Sequence, residues 1–380
     1  MRLSCIQDNL SRGLSIIGRA VATRTTLPIT QNVLLATEEG RLKLSATNLE
    51  IAITTWVGAM IEEEGSITVP ARLLTEFIGS LPGDTIDITS TDRPKSLELK
   101  CGRFNARING TDAEEFPPIP SVDEGVEIVI NAAALKSSIG QTVFAAANEA
   151  SRPVLTGVKM EVEGDQLTLA AADGFRLAVH RGKVVQSIEE PVGVIIPART
   201  LNELNRFLGD EDETVQFVIS ANRSQALFRL GNIEMVSQLI QGNFPPYADL
   251  LGDAMKDTKA KAVVQLSELL AAARSASIFA RDSSGIIRLQ MVPSTGVGSG
   301  QLIISSRAEE IGDNTGEIDG QIEGEEAKIA FNSRYLLDVL SAVNDEKVSL
   351  ETSGPSRAGV FKSPDSDQYL HLVMPMFVQW

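Results

Sequence analysis

Two histidines, His180 and His371, and two cysteines, Cys5 and Cys101, are all the imidazole and thiol chemistry that this 380-residue chain carries. Neither histidine belongs to a nucleophile motif such as Gly-x-Ser-x-Gly, and no spacing suits a zinc site or a redox dithiol. The cysteines read as two reduced thiols of a cytosolic protein. Gly296-Val-Gly-Ser-Gly300 has the letters of a phosphate loop, but it precedes a strand. A phosphate cradle needs a loop that follows a strand and opens a helix. Asp112, Glu114 and Glu115 could form a carboxylate cluster, although a solvated acidic linker is the preferred reading. Asn109-Gly-Thr and Asn222-Arg-Ser match the glycan acceptor pattern, which matters only in a secreted chain. No catalytic residue, metal or cofactor is expected.

The cations are more informative. Acidic residues outnumber basic ones 50 to 34, for a net charge of −16. A nucleic-acid binder working by bulk charge would be basic, so any DNA contact must be local or topological. Yet Arg12 and Arg19, Arg199 and Arg206, and Arg274 and Arg281 are pairs seven residues apart in segments with few acids. Seven residues is close to two helical turns, so each pair is expected on one helical face. Arg24, Arg72, Lys136, Arg152 and Arg334 are expected in or beside equivalent helices. Solvation of helix surfaces by long basic side chains explains the pattern as well as binding does.

The elements that would position these groups recur. Ile67-Thr-Val-Pro-Ala-Arg-Leu-Leu returns as Val194-Ile-Ile-Pro-Ala-Arg-Thr-Leu and again as Ile329-Ala-Phe-Asn-Ser-Arg-Tyr-Leu-Leu. Pro70 and Pro197 are 127 residues apart, and Phe116-Pro-Pro recurs 128 residues later as Phe244-Pro-Pro. A period of this size is a domain, so three copies of one domain are expected, over residues 1–123, 124–256 and 257–380. Linkers are read at Pro117 to Gly125 and Gly252 to Lys259. Each copy opens with a short strand and a helix: near Asp8 to Val21, Ala132 to Ala147, and Ser267 to Ala280. Asn131 and Ser267 are the expected N-caps. Alternating strands follow, with a hairpin turn at Glu39-Gly40, its equivalent at Glu163-Gly-Asp165, and a longer loop from Pro293 to Gly300. A second helix follows the Pro-Ala-Arg signal at Ala71 to Leu81, Ala198 to Leu208 and Ser333 to Val343. Two helices and roughly eight strands per copy make an α+β domain, helices on one sheet face. No 18-residue apolar run exists, and the start, Met1-Arg-Leu-Ser-Cys-Ile-Gln-Asp, lacks the apolar region of a signal peptide. A cytoplasmic protein without a membrane partner is expected.

Three residue sets carry a family resemblance: Arg24 with Thr26-Leu-Pro-Ile-Thr-Gln-Asn; Asn148 to Gly157 followed by Ala171-Ala-Asp-Gly-Phe-Arg-Leu-Ala-Val; and Leu372-Val-Met-Pro-Met376. With Phe244-Pro-Pro-Tyr247 and Phe331-Asn-Ser-Arg-Tyr335 in the same order, the whole chain resembles the bacterial sliding clamp, the β subunit of DNA polymerase III. The resemblance implies three clamp domains per chain and a head-to-tail homodimer closed into a ring. Helices would line the hole and sheets would form the outside. Double-stranded DNA would thread the hole without sequence-specific binding, and a basic inner face would reconcile DNA contact with the acidic total. Arg24, Arg72, Arg152, Arg199 and Arg206 are the expected DNA contacts. A hydrophobic pocket for short linear peptides, glutamine-rich and leucine-containing, is implied between the second and third domains. Its partners would be the replicative polymerase, the clamp loader, repair polymerases and mismatch-repair proteins. Carried over by motif, its wall is Leu155, Ala172, Gly174, Phe175, Arg176, Leu177, Pro245, Leu250, Asn332, Tyr335, Val360, Leu372, Met374, Pro375 and Met376. Ala106 and Ile108 on an edge strand are expected to face Ile278 and Phe279 of a second copy, with Arg72, Glu309 and Glu310 at the rim.

The chain departs from the family pattern where Ala172 and Phe175 replace a common Thr and His, and where Phe377-Val-Gln-Trp380 follows the last methionine. Both changes make the pocket greasier. The aromatic usual on the interface strand is absent at Ala106, with Phe104 nearby. Two further readings stand beside the non-enzymatic processivity ring: a repeat-built enzyme using an acidic cluster with a divalent metal, and a diverged clamp paralogue.

Overall fold

Leu10, Leu14 and Ile17 fall on one helical face and are buried, while Arg12 faces solvent. Gly13 shares the buried face. A Cβ there would come within 2.8 Å of Leu44 Cδ1 and Val57 Cγ2, so glycine lets this helix lie close against its sheet. In the computed structural model the helix is α1 (Gln7–Ile17), following strand β1 (Arg2–Ile6). The structure describes residues 1–122, 124–149, 151–209, 213–281, 284–294, 298–308, 310 and 312–379.

The first repeat continues with β2 (Asn32–Glu38), β3 (Arg41–Thr47), β4 (Ile51–Glu63), β5 (Ser66–Pro70), α2 (Ala71–Ser80), β6 (Thr85–Asp92), β7 (Lys95–Cys101) and β8 (Phe104–Asn109). The second holds β9 (Gly125–Asn131), α3 (Ala132–Thr142), β10 (Gly157–Ala172), β11 (Arg176–Pro197), α4 (Ala198–Asn205), β12 (Thr214–Ser220), β13 (Gln225–Leu230), β14 (Ile233–Gln238) and α5 (Tyr247–Met255). The third holds β15 (Ala260–Gln265), α6 (Leu266–Arg281), β16 (Ile286–Val292), β17 (Gly300–Ala308), β18 (Gly312–Gly324), β19 (Ala327–Asn332), α7 (Ser333–Ala342), β20 (Lys347–Thr352), β21 (Gly359–Ser363) and β22 (Ser366–Val373). The class is α+β, as expected.

The chain forms two compact units, Met1–Ala132 with Arg206–Leu239, and Ala133–Asn205 with Ile240–Trp380. The first is built on a 12-stranded sheet whose path runs β8-β7-β6-β1-β4-β14-β13-β12-β9, with β2, β3 and β5 attached to it. The second is built on a 10-stranded sheet, β10-β11-β22-β21-β20-β15-β18-β17-β16-β19. Each sheet joins strands of different repeats by the same rule. The last strand of one repeat pairs antiparallel with the strand that follows the hairpin of the repeat before it. In the first unit β14 pairs β4, with Val236 opposite Ala52. In the second β22 pairs β11, with Leu372 opposite Leu177.

Local chemistry explains the turns. Glu39 and Gly40 have φ of +50° and +72° and join β2 to β3 with Glu38 opposite Arg41, which is the two-residue turn that suits strand twist. In the second repeat Glu163–Asp165 lies within β10, with register irregularities on both sides and Gly164 at φ +59°. β16 and β17 pair as expected, and a strand rather than a helix follows the Gly300 loop. Gly296 and Val297 lie outside the described residues.

Several expectations are corrected. Ser267 lies inside the first turn of α6 and not ahead of it. A side-chain cap forms instead at α7, where Asn332 Oδ1 accepts from the backbone N–H of Arg334 (2.9 Å) and Tyr335 (3.4 Å). The expected linker at 252–259 is partly helical, because α5 runs to Met255 and buries Leu251. Asp123, in the other linker, lies outside the described residues. Among the described residues the second repeat has six strands, not eight, because β10 and β11 are 16 and 22 residues long.

Candidate docking groove and nucleic-acid contacts

Alternation along β10, β11 and β22 sends every second side chain to one sheet face. On that face Leu155, Ala170, Ala172, Leu177, Val179, Leu251, Val360, Leu370 and Leu372 form one buried cluster, against which Val154, Phe244 and Tyr247 pack. Five expected wall residues, Leu155, Ala172, Leu177, Val360 and Leu372, therefore converge from distant segments. Around them stand exposed apolar side chains: Phe175 (58% exposed), Leu250, Met374, Met376 and Phe377 (88%). Pro245 and Pro375 are half-buried. Leu250 is at the rim, and its neighbour Leu251 is the residue that enters the cluster. The sequence reading missed Leu251, and the helical period of α5 was the signal that could have found it. Trp380, the last residue of the tail, lies outside the described residues.

Arg176 ties this face together. It is buried, and all three of its nitrogens are engaged: Nε donates to Asp173 Oδ2 (3.0 Å), Nη1 to Asp338 Oδ2 (2.6 Å) and Nη2 to the Phe144 carbonyl (2.7 Å). Its guanidinium stacks over Tyr335 at 4.5 Å and over Phe144 at 5.4 Å. Phe144 in turn stacks on His371 at 5.5 Å, and the Tyr369 hydroxyl lies 3.1 Å from His371 Nδ1. Burial, with the Arg176 cation adding to it, pushes the His371 pKa down to about 3, so the ring is neutral. Burial alone holds His180 at about 4. Neither histidine is exposed enough to act as an acid or base on a ligand. Tyr335 titrates above its ordinary value, chiefly through burial and then the nearby Asp173 carboxylate. Burial pushes the Cys5 thiol up to about 12, which makes it inert.

The turn before Arg176 is set by Asp173, whose Oδ1 accepts from the backbone N–H of Phe175 (2.8 Å) and Arg176 (3.0 Å). Gly174 has φ +93°, and a Cβ there would lie 3.1 Å from Arg152 Nη1. Arg152, expected as a DNA contact, therefore reaches the rim of the groove. The Met374 N–H donates to the Phe175 carbonyl and the Met376 N–H to the Ala330 carbonyl, so the tail is tied to both sides. The Tyr247 hydroxyl donates to Glu161 and holds the start of α5.

The other expected DNA contacts are exposed but differ from one another. Arg24 and Arg152 sit in loops, each followed by a 3₁₀ turn that begins with proline, at Pro28 and Pro153. Arg72 is on α2 and is paired with Glu76 at 2.7 Å, one turn along the same helix. Arg199 is on α4 and Arg206 just beyond its end. Of the three arginine pairs, only Arg274 and Arg281 share one α-helix, because α1 ends at Ile17 and Arg19 lies in a 3₁₀ turn. A single helical face is thus a correct account of one pair.

β8 ends its sheet, so among the described residues its outer backbone edge has no strand partner within the unit. Ile108 is buried in its own unit, Ala106 is half-exposed and Phe104 is 53% exposed. The edge therefore offers backbone groups with Phe104 and Ala106, and not the Ile108 side chain. On α6, Ile278 is 60% exposed and Phe279 half-buried. Glu309 lies outside the described residues.

Among the described residues no group of three or more His, Cys, Asp and Glu could hold a metal ion, and no helix is long and apolar enough to cross a membrane. Family models for the N-terminal, central and C-terminal domains of the DNA polymerase III beta subunit match residues 1–120, 129–246 and 255–377. The chain belongs to the bacterial β sliding clamp family. The beta sliding clamp of Bacillus subtilis (strain 168) is 30% identical over 386 residues, covering 99% of each chain. That of Synechococcus elongatus is 30% identical over 379 residues, again covering 99% of each. Among solved structures, the Bacillus subtilis DNA polymerase sliding clamp superposes with a TM-score of 0.93 at 30% identity and full coverage of both chains. The DNA polymerase III subunit beta of Pseudomonas aeruginosa gives 0.91 at 29% identity, covering 99% of this chain and 100% of that one. As a sliding clamp the chain is a non-catalytic DNA processivity factor, and DNA and a DNA polymerase are its partners.

Proposed function

We propose that two copies of this clamp close head to tail into a ring around duplex DNA, each chain contributing three domains, 1–123, 124–256 and 257–380. The observation that carries this is the strand rule between repeats. β14 of the second repeat pairs β4 of the first, and β22 of the third pairs β11 of the second. Among the described residues that rule leaves two edges over. One is β8, the last strand of the first repeat. The other is the start of β18, which has β17 along one side while β15 takes the opposite side only from Gly320 onward. Applying the rule once more pairs β8 of one copy with the start of β18 of another. Exposed edges of this kind demand a partner. Charge is complementary, with Arg107 on β8 and Arg103 just before it, and Asp313 and Glu317 along β18. A contact made of two different surfaces closes only when copies are related by a ring.

DNA would pass through the ring on sequence-independent phosphate contacts from Arg24, Arg72, Arg152, Arg199 and Arg206. Topological retention lets those contacts be weak. The groove centred on Leu177 and Leu372 would take the short apolar peptides of the replicative polymerase, the clamp loader, repair polymerases and mismatch-repair proteins. Flexible methionines at its rim suit varied partners. The setting is the bacterial cytoplasm. The test is retention on closed circular DNA after loading, with release when the circle is cut. Equal release from intact and cut circles would overturn the ring.

A further inference from the structure

We propose that Asp338 is a positioning residue for the docking groove, acting through Arg176; this rests on the docking reading above. The groove has walls from two repeats, and beside the β11–β22 pairing a buried cation ties them together. Asp173 serves that cation locally, since it lies three residues before Arg176 and also shapes its own turn. Asp338 is different. It stands on α7, one helical turn beyond Tyr335, and grips Nη1 at 2.6 Å while the Tyr335 ring covers the guanidinium from the same helix. Its carboxylate is partly exposed, whereas Arg176 is not. The chain of contacts then runs from Arg176 to the 173–175 turn, and from the Phe175 carbonyl to the Met374 N–H at 2.8 Å. Asp338 thus fixes the Phe175 and Met374 rims with respect to α7.

A groove held open in advance spares the bound peptide the cost of ordering it. Without Asp338 the guanidinium keeps Asp173, the Phe144 carbonyl and the Tyr335 ring but loses its charged hydrogen bond to α7. The rims then reach the binding geometry only part of the time, which slows association. Asparagine at this place retains an oxygen acceptor and should recover most of the effect.

The experiment follows a fluorescein-labelled, glutamine- and leucine-containing peptide by stopped-flow and equilibrium anisotropy against full-length protein. Asp338→Ala should weaken binding roughly tenfold, mostly as slower association and by more than any fall in the melting midpoint accounts for. Asp338→Asn should bind within a few-fold of the parent. In an Arg176→Met background, Asp338→Ala should add nothing. Parent-like binding by Asp338→Ala, an equal loss in the Arg176→Met background, or a loss that merely follows a fallen melting midpoint would each overturn the assignment. Failure of the parent itself to bind the peptide would overturn the docking reading on which it rests.

Discussion

Two buried histidines contribute to the acid sensitivity of this clamp. His180 and His371 are neutral in the folded chain, with pKa values of about 4 and about 3, against about 6.5 when unfolded. Below 6.5 the unfolded chain takes up protons that the folded chain does not. Their contribution is therefore complete well above 6.5 and falls as the pH drops toward the folded values, approaching about 1.4 kcal/mol per pH unit for each ring once the unfolded imidazole is fully protonated. A His180→Gln/His371→Gln variant should lose about 3 kcal/mol less than the parent between pH 6.5 and 5.0, measured by urea unfolding at the two pH values. Identical losses would show that the rings do not carry the acid limb. Glycine choices act at the same scale: Gly174 supplies a φ of +93° beside Arg152, which a side chain would both strain and crowd.

At the scale of elements, the two internal junctions use one strand pattern for different ends. Where Leu177, Leu372, Val360 and Leu251 build the groove, the register places Ala52, Val236, Leu227 and Val122 at the first junction. That site is smaller. Ile119 packs on it, Val122 lies within it, and the Arg229–Glu234 ion pair borders it, leaving a cavity of about 80 Å³. One peptide per chain should therefore saturate the protein in a calorimetric titration; two per chain would mean that the first junction opens. Burying a few hundred Å² of apolar surface at about 25 cal/mol per Å² gives several kcal/mol before ordering costs, in keeping with micromolar affinity near about −8 kcal/mol. Deleting Met374 to Trp380 removes the rim and the two backbone bonds of the tail. It should abolish peptide binding while leaving dimer mass and thermal unfolding nearly unchanged. Lost folding would instead mark the tail as core.

For the whole molecule, the unmatched edges and the charge distribution set the predictions. Ile278→Asp places a charge on an apolar residue expected at the contact between copies and should give monomers in sedimentation at micromolar concentration. A dimer of parental strength would remove α6 from that contact. Reversing charge at Arg24, Arg152 and Arg199 should weaken DNA retention most at moderate salt, and each lost phosphate contact should lower the salt slope by about one unit. Arg72 should contribute less than it would unpaired, because Glu76 already pairs with it on α2. A triple variant that loads and slides like the parent would refute the inner-surface assignment.

The amino-acid sequence by itself determined the repeat, the α+β class and most of the order of helices and strands, α5 excepted, because these rest on local periods and turn chemistry. Glu39-Gly40 and the Pro-Ala-Arg helix starts were legible for that reason. It also carried the groove residues as motifs, without saying what joins them. Only the tertiary structure decided that Leu251 and not Leu250 enters the cluster, that Ile108 is committed to its own core, and that Arg152 reaches Gly174. Such facts depend on which face a strand or helix presents, and a one-residue difference reverses that face. The link from Arg176 to Asp338 spans 162 residues, so no local pattern encodes it. It exists because β22 of one repeat pairs with β11 of another and brings α7 beside the turn that ends in Arg176.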